Sequence, residues 1–137
     1  MRFAPRVLVC AGAAMLLASC ASLQPLPPEE AVAKRAQARY DALIARDFKK
    51  VHGYFTPAYR ERFAYEDWIR SRPPMVRFRA ARVLKVECVT EETCDVEVES
   101  AYDSPRGVRS APKGTIDRVT PERWIRVDGQ WWIFQAR

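Results

Sequence analysis

The sequence predicts an α+β domain, helices first and an antiparallel sheet second, behind a leader that is cut away. Three observations predict it. Apolar residues recur at helical spacing from Val32 to Ile44. Strand-like runs with period-two alternation occupy the chain from Ala80 onward. Asp128-Gly129 stands between two such runs as a hairpin turn, since a type I′ turn needs positive φ at both residues. With 137 residues, one compact domain is expected.

The leader comes first. Arg2 and Arg6 form a short basic segment, and Val7 to Leu17 is apolar or small, too short to span a bilayer comfortably. Leu17-Ala18-Ser19-Cys20 follows. This run resembles a lipobox, the cleavage site of bacterial lipoprotein signal peptidase, in which an apolar and two small residues precede the acylated cysteine. The resemblance implies that residues 1–19 are a signal peptide. It also implies that Cys20 carries fatty acyl chains of the palmitate kind and that the protein is held on a membrane. Residues 20–28, with Gln24-Pro25-Leu26-Pro27-Pro28, read as an extended tether. Ala21 after the lipid cysteine, where Asp tends to retain lipoproteins at the inner membrane, implies the outer membrane, facing the periplasm. The folded domain is then expected over residues 29–137.

Glu29 to Arg46 reads as the first helix, with Val32, Ala36, Tyr40, Leu43 and Ile44 on one apolar stripe. Asp47 is placed to cap a second short helix whose buried side holds Phe48, Val51 and Phe55. Thr56-Pro57 is a helix start, a cap residue followed by Pro at the first position, and its helix would carry Tyr59 and Phe63 inward. A last helical turn from Glu66 to Arg70 would carry Trp68 and Ile69, and Pro73-Pro74 ends the helical half.

Four cysteines are present. Cys10 leaves with the leader and Cys20 is the acylation site. Cys88 and Cys94 remain, an even pair in an oxidising compartment, between the strand-like runs Ala80–Val89 and Thr93–Tyr102. A disulfide closing this hairpin is the expectation. Metal binding is weaker, because two cysteines and a single histidine do not fill a tetrahedral site. A redox pair is disfavoured by the spacing. Pairing 88 with 94 sets 86 opposite 96 and 84 opposite 98, so Leu84, Val86, Val96 and Val98 share a face. Lys85 then faces Glu97, a favourable pair, and Glu87 faces Asp95, an unfavourable one.

A polar loop, Asp103 to Gly114, is long enough to be mobile. Thr115–Val119 and Glu122–Val127 look extended, and Gln130–Gln135 returns. A two-residue turn sets 127 opposite 130, 125 opposite 132 and 124 opposite 133. Trp124, Trp131 and Ile133 then lie on one face and Ile125, Val127, Trp132 and Phe134 on the other, so both faces are expected to be covered.

The residues Ala38-Arg39-Tyr40-Asp41-Ala42-Leu43, Phe55-Thr56-Pro57-Ala58-Tyr59-Arg60 and Arg123 through Trp132, with its Trp-x-x-x-Asp-Gly-x-Trp-Trp pattern, resemble an NTF2-like domain. The resemblance implies helices packed on a curved antiparallel sheet, a cystatin-like α+β cone that often encloses a pocket. It covers roughly Glu29 to Gln135. Such a fold hosts enzymes, binding modules and dimerisation domains alike, so it leaves function to the site.

Catalytic motifs are missing: the sequence has no G-x-S-x-G, no H-E-x-x-H and no glycine-rich phosphate loop. His52, the one histidine, lies next to Lys49 and Lys50 and reads as solvated. Asp41 reads as a solvated helix residue. The net charge of +6 does not carry a nucleic-acid reading, because the leader marks a secreted chain and no binding motif is present. Two groups of residues stand out. Tyr40, Tyr59, Trp68, Trp124 and Trp132 are candidates to line a pocket and stack on a ligand, against core packing as the alternative. Arg70, Arg72, Arg77 and Arg79, continuing to Arg82 and Lys85, are a candidate surface for an anionic partner, against a solvated edge. By strand parity, positions 77, 79 and 85 share a face and Arg82 points away.

The expected function is therefore non-catalytic binding by a lipid-anchored envelope protein, either of a small molecule or of an envelope protein partner, with no cofactor and no metal. Two alternatives stand beside it. One is an enzyme acting on a small envelope metabolite through Asp41, Tyr40 or His52; the other is a structural homodimer.

Overall fold

The computed structural model describes residues 25–72, 76–104 and 113–135. The leader, Cys20 and the tip of the loop between the middle strands lie outside the described residues, so the expectations on cleavage, acylation and loop mobility do too.

Helix α1 (Pro28–Ile44) begins with proline in its first turn, where a missing N–H costs nothing, and with Glu29 and Glu30 at its positive end. Its stripe of Val32, Ala36, Tyr40 and Leu43 is buried, and Ala42 joins it. Arg46 at φ 59° ends the helix in a left-handed step. Helix α2 (Phe48–His52) is capped by Asp47, whose carboxylate accepts from the Lys50 N–H at 3.0 Å. Helix α3 (Pro57–Arg62) is capped by Thr56, and helix α4 (Tyr65–Arg70) buries Trp68. Helix α3 buries nothing fully: Tyr59 is half-buried and Phe63 is 40% exposed, against the expectation that both point inward.

The sheet contains strands β1 (Phe78–Thr90), β2 (Thr93–Asp103), β3 (Thr115–Val127) and β4 (Gln130–Phe134), antiparallel in sequence order. The two extended runs expected at 115–119 and 122–127 are one strand. Pro121 interrupts nothing because β4 pairs with β3 only from Arg123 onward, which leaves that edge without a ladder to break. Asp128 (φ 51°) and Gly129 (φ 75°) make the expected turn, with the expected register.

The first hairpin keeps its expected register from Lys85 to Cys88 and departs from it at three places, between Phe78 and Ala80, Val83 and Lys85, and Cys88 and Thr90. Cys88 pairs with Cys94 and Val86 with Val96, but an irregularity between Val83 and Lys85 sets Val83, not Leu84, opposite Val98. Leu84 is expelled and 44% exposed. A further irregularity between Phe78 and Ala80 turns Arg79 outward. These two shifts place Arg79, Arg82 and Lys85 together on the outer face, so Arg82 does not point away from the others as strand parity predicted.

The core lies between α1, α2, α4 and the inner sheet face. Val32, Val51, Phe55, Val96, Val98 and Trp124 are almost wholly buried. The outer face meets water. The expectation that the last hairpin is covered on both sides fails there: Phe134 is 45% exposed, and Ile125, Val127 and Trp132 are half-buried.

The expected NTF2-like cone is corrected by this architecture. One long helix and three short ones of five or six residues lie on one side of a simple four-strand meander. The physical reason is in the helical half. Gly53, Thr56-Pro57 and Phe63-Ala64 each stop a helix after one or two turns, so the periodic apolar residues there serve turns rather than long packed helices.

Candidate functional site

A cleft of about 740 Å³ opens between α1 and the inner face of the sheet, at the end where β1 begins and β2 finishes. Its apolar wall follows from sheet register. Phe78 pairs with Tyr102, and Tyr102 with Ile116, so all three face inward. Tyr40 from α1 meets Phe78 edge-on at 5.8 Å between centroids, and Phe78 meets Tyr102 at 5.8 Å. Leu43 and Ile133 close the floor.

The polar wall comes from β3, where Arg118 and Glu122 alternate inward with Ile116, Thr120 and Trp124. Arg39 of α1 donates from Nη1 to Glu122 Oε1 at 2.8 Å, and the two side chains are only 12% and 6% exposed. The indole Nε1–H of Trp124 donates to the other oxygen, Oε2, at 3.1 Å. The Arg39 guanidinium also lies over the Tyr40 ring at 5.4 Å, while its Nε is buried with no hydrogen-bond partner. Burial first, and the Glu122 charge second, push the Tyr40 phenol well above its ordinary value, so it stays protonated.

Arg72, just past α4, stacks on the Trp68 ring at 4.4 Å. Burial lowers its pKa; the nearby Tyr59 opposes that effect and the charge of Arg39 adds to it. Opposite Arg118, Ser100 is almost fully buried and its hydroxyl donates weakly to the Arg118 carbonyl at 3.5 Å. Arg123, at the rim, is held by two bonds to Asp95 at 2.8 and 3.0 Å.

The sequence-predicted residues are dispersed by the fold. Tyr40 lines the cleft. Trp124 (0% exposed) and Trp68 (3%) are core residues, as the core-packing reading has them, so a ligand does not stack on Trp124. Tyr59 packs on Phe55 and Phe63. Trp132 does not line the cleft; the guanidinium groups of Arg35 and Arg60 each lie 5.0 Å from its ring. Arg35 also donates to the Trp131 carbonyl and Arg60 to that of Phe55, so this group clamps α1, the segment before α3 and β4 together.

The basic run is not one patch. Arg79 is bonded twice to Asp103, at 2.7 and 2.8 Å, Arg82 to Glu99 and Arg70 to Asp67. Arg72 alone of this run lines the cleft; Arg77 lies away from it, and both side chains are exposed. His52 also departs from expectation: it is buried among Phe55, Tyr65 and Trp68, with Nε2 2.8 Å from the Phe63 carbonyl. Asp41 is exposed and accepts from Gln37. Asp41, Tyr40 and His52 therefore sit in three different surroundings. Among the described residues, no three His, Cys, Asp or Glu side chains gather as a metal site requires.

Arg118 and Glu122 escaped the sequence reading. Their signal was the even-numbered series Ile116, Arg118, Thr120, Glu122, Trp124, in which polar residues share a strand face with a core tryptophan.

No family model matches this chain, and no curated protein does. A SEC-C motif containing protein from Rhodopseudomonas palustris, known from its solution structure, is similar in fold, with a TM-score of 0.52 at 18% identity over 73% of this chain and 72% of its own. At that identity the likeness speaks to fold alone. It removes the NTF2-like assignment without supplying a function.

Proposed function

We propose that this is a lipid-anchored protein of the bacterial cell envelope, tethered through Cys20 on the periplasmic side of the outer membrane, whose domain binds a small molecule without transforming it. The cleft between α1 and the sheet carries the binding part of this reading. It has the size of a ligand site, an aromatic and aliphatic wall, and a few convergent polar groups opposite it. Leu17-Ala18-Ser19-Cys20 supports the anchor. The sulfurs of Cys88 and Cys94, 1.94 Å apart, suit an oxidising compartment. Among the described residues no helix is long and apolar enough to cross a membrane; the attachment in this reading is the lipid on Cys20.

Native mass spectrometry of the full lipoprotein, released gently from its own membrane, tests the reading. A retained mass of roughly a few hundred daltons beyond the acyl chains is the expected result. A retained protein in its place would make the chain a subunit of an envelope complex. A species carrying neither extra mass nor acyl chains would remove both halves of the proposal. Cys20→Ser is expected to abolish the acyl mass and move the protein to the soluble fraction.

A further inference from the structure

We infer that the cleft takes an amphiphilic anion, a carboxylate or phosphate head on an apolar body, with the head held by Arg72 and Arg118. This deepens the small-molecule reading and rests on it.

The charges of the cleft do not cancel. Four arginines line it, Arg39, Arg72, Arg118 and Arg123, against one carboxylate, Glu122. Arg39 is taken by Glu122, and Arg123 by Asp95. Arg72 and Arg118 have no ion pair among the described residues. All 17 acidic side chains of the chain fall within the described stretches, and none of them pairs with Arg72 or Arg118 there.

Both side chains are exposed, but their placement differs from that of arginines on an open surface. Arg118 occupies an inward position of β3, cross-strand from the buried Ser100, where a sheet face packed on a helix is normally apolar. Arg72 lies over the face of Trp68 while staying exposed on its other side. Behind them the Arg39 Nε is buried without an acceptor. Guanidinium donors that line one cleft and carry no ion pair among the described residues match a planar or tetrahedral oxyanion. The wall of Leu43, Phe78, Tyr102 and Ile116 gives the rest of such a molecule an apolar bed.

The test uses the acylated protein in nanodiscs of zwitterionic lipid, with empty nanodiscs as the blank. Isothermal titration calorimetry compares 4-phenylbutyrate, 4-phenylbutyl phosphate and 4-phenylbutanol, which share one apolar body. Both anions are expected to bind, and the alcohol to bind at least about tenfold more weakly. The stronger of the two anions tells whether the head is a carboxylate or a phosphate. Arg72→Gln with Arg118→Gln is expected to remove at least about tenfold of the anion affinity. Arg79→Gln with Arg82→Gln, on the outer face, is expected to leave it unchanged. An alcohol that binds as well as the acids, or a cleft double variant that binds them unchanged, overturns the anion inference and leaves the cleft as a neutral site. If all three probes fail and no small mass is retained on the native protein, the cleft-binding reading itself is overturned.

Discussion

Glu122 is the acceptor that organises the inner face of β3. It receives Arg39 and the Trp124 indole and lies beside Tyr40, so a carboxylate that is 6% exposed serves a cation and the largest core side chain at once. A buried pair of this kind contributes little over an apolar pair of equal volume, but breaking it strands a charge. Glu122→Gln is therefore expected to cost about 3–5 kcal/mol in denaturant unfolding, and the double replacement Arg39→Met with Glu122→Leu distinctly less. Equal losses in the two proteins would show that the ion pair is not what holds this corner. Tyr40 adds a pH dependence with a defined sign. Its folded pKa is raised, so the unfolded chain releases the phenolic proton first, near pH ~10. The contribution of Tyr40 is intact below that value and is lost as pH rises beyond it, by up to about 1.4 kcal/mol per pH unit. Tyr40→Phe is expected to flatten the fall in stability between roughly pH 10 and 11, as read from urea midpoints of the two proteins side by side.

At the scale of elements, the first hairpin shows how local chemistry fixes and then adjusts a register. Cys88 opposite Cys94 and Val86 opposite Val96 follow from alternation. Beyond them the chain yields one residue, expelling Leu84 so that Val83 fills the core position opposite Val98. A one-residue slip would otherwise turn the whole apolar set of β1 outward. The like-charged pair Glu87 and Asp95 is accommodated by neighbours rather than by water alone: Lys85 lies 2.8 Å from Glu87, and Arg123 2.8 Å from Asp95. The disulfide closes a loop of sequence separation six, for which chain entropy gives a contribution of about 2 kcal/mol. Cys88→Ser with Cys94→Ser is expected to lower stability by about that amount and to leave the strand content unchanged by circular dichroism. A loss of sheet signal would mean that the bridge sets the register instead of fastening it.

For the whole molecule, the run of α1 across the sheet sets an orientation. At its middle Arg35 reaches the Trp131 carbonyl, and five residues further toward its end Tyr40 meets Phe78. The start of α1 therefore lies toward the end of the sheet where both hairpin turns sit, since Arg126 N–H bonds to the Glu92 carbonyl there. The cleft, with Phe78 and Tyr102, is at the opposite end. On the proposed anchor, the seven residues 21–27 separate the lipidated Cys20 from α1, a reach of at most about 28 Å from Cys20 to Pro28. The hairpin turns would face the bilayer and the cleft the periplasm. Spin labels at position 91 and at position 118 of the acylated protein in vesicles are expected to differ, the first near the lipid surface and the second exposed to a water-soluble relaxant. The reverse pattern would place the cleft against the membrane.

What the sequence determined by itself is local. The lipobox resemblance, the caps at Asp47 and Thr56, the Asp128-Gly129 turn and the pairing of Cys88 with Cys94 each rest on a few adjacent residues or on strand periodicity, and the structure places the last four as read. What only tertiary structure decided is how those pieces face one another. The NTF2-like cone did not survive, because a run of helix-forming residues does not specify how long each helix lasts or how it packs. Trp124 and Trp132 are read alike in the sequence, yet one is sealed in the core and the other stands between Arg35 and Arg60, because strand parity assigns a face but not what covers it. His52 read as solvated beside two lysines and is buried, because α4 and the segment after α3 close over it. Arg72 and Arg118, the two cleft arginines without an ion pair among the described residues, come from segments 46 positions apart in the chain, so their meeting in one cleft is a property of the folded chain and not of any motif in it.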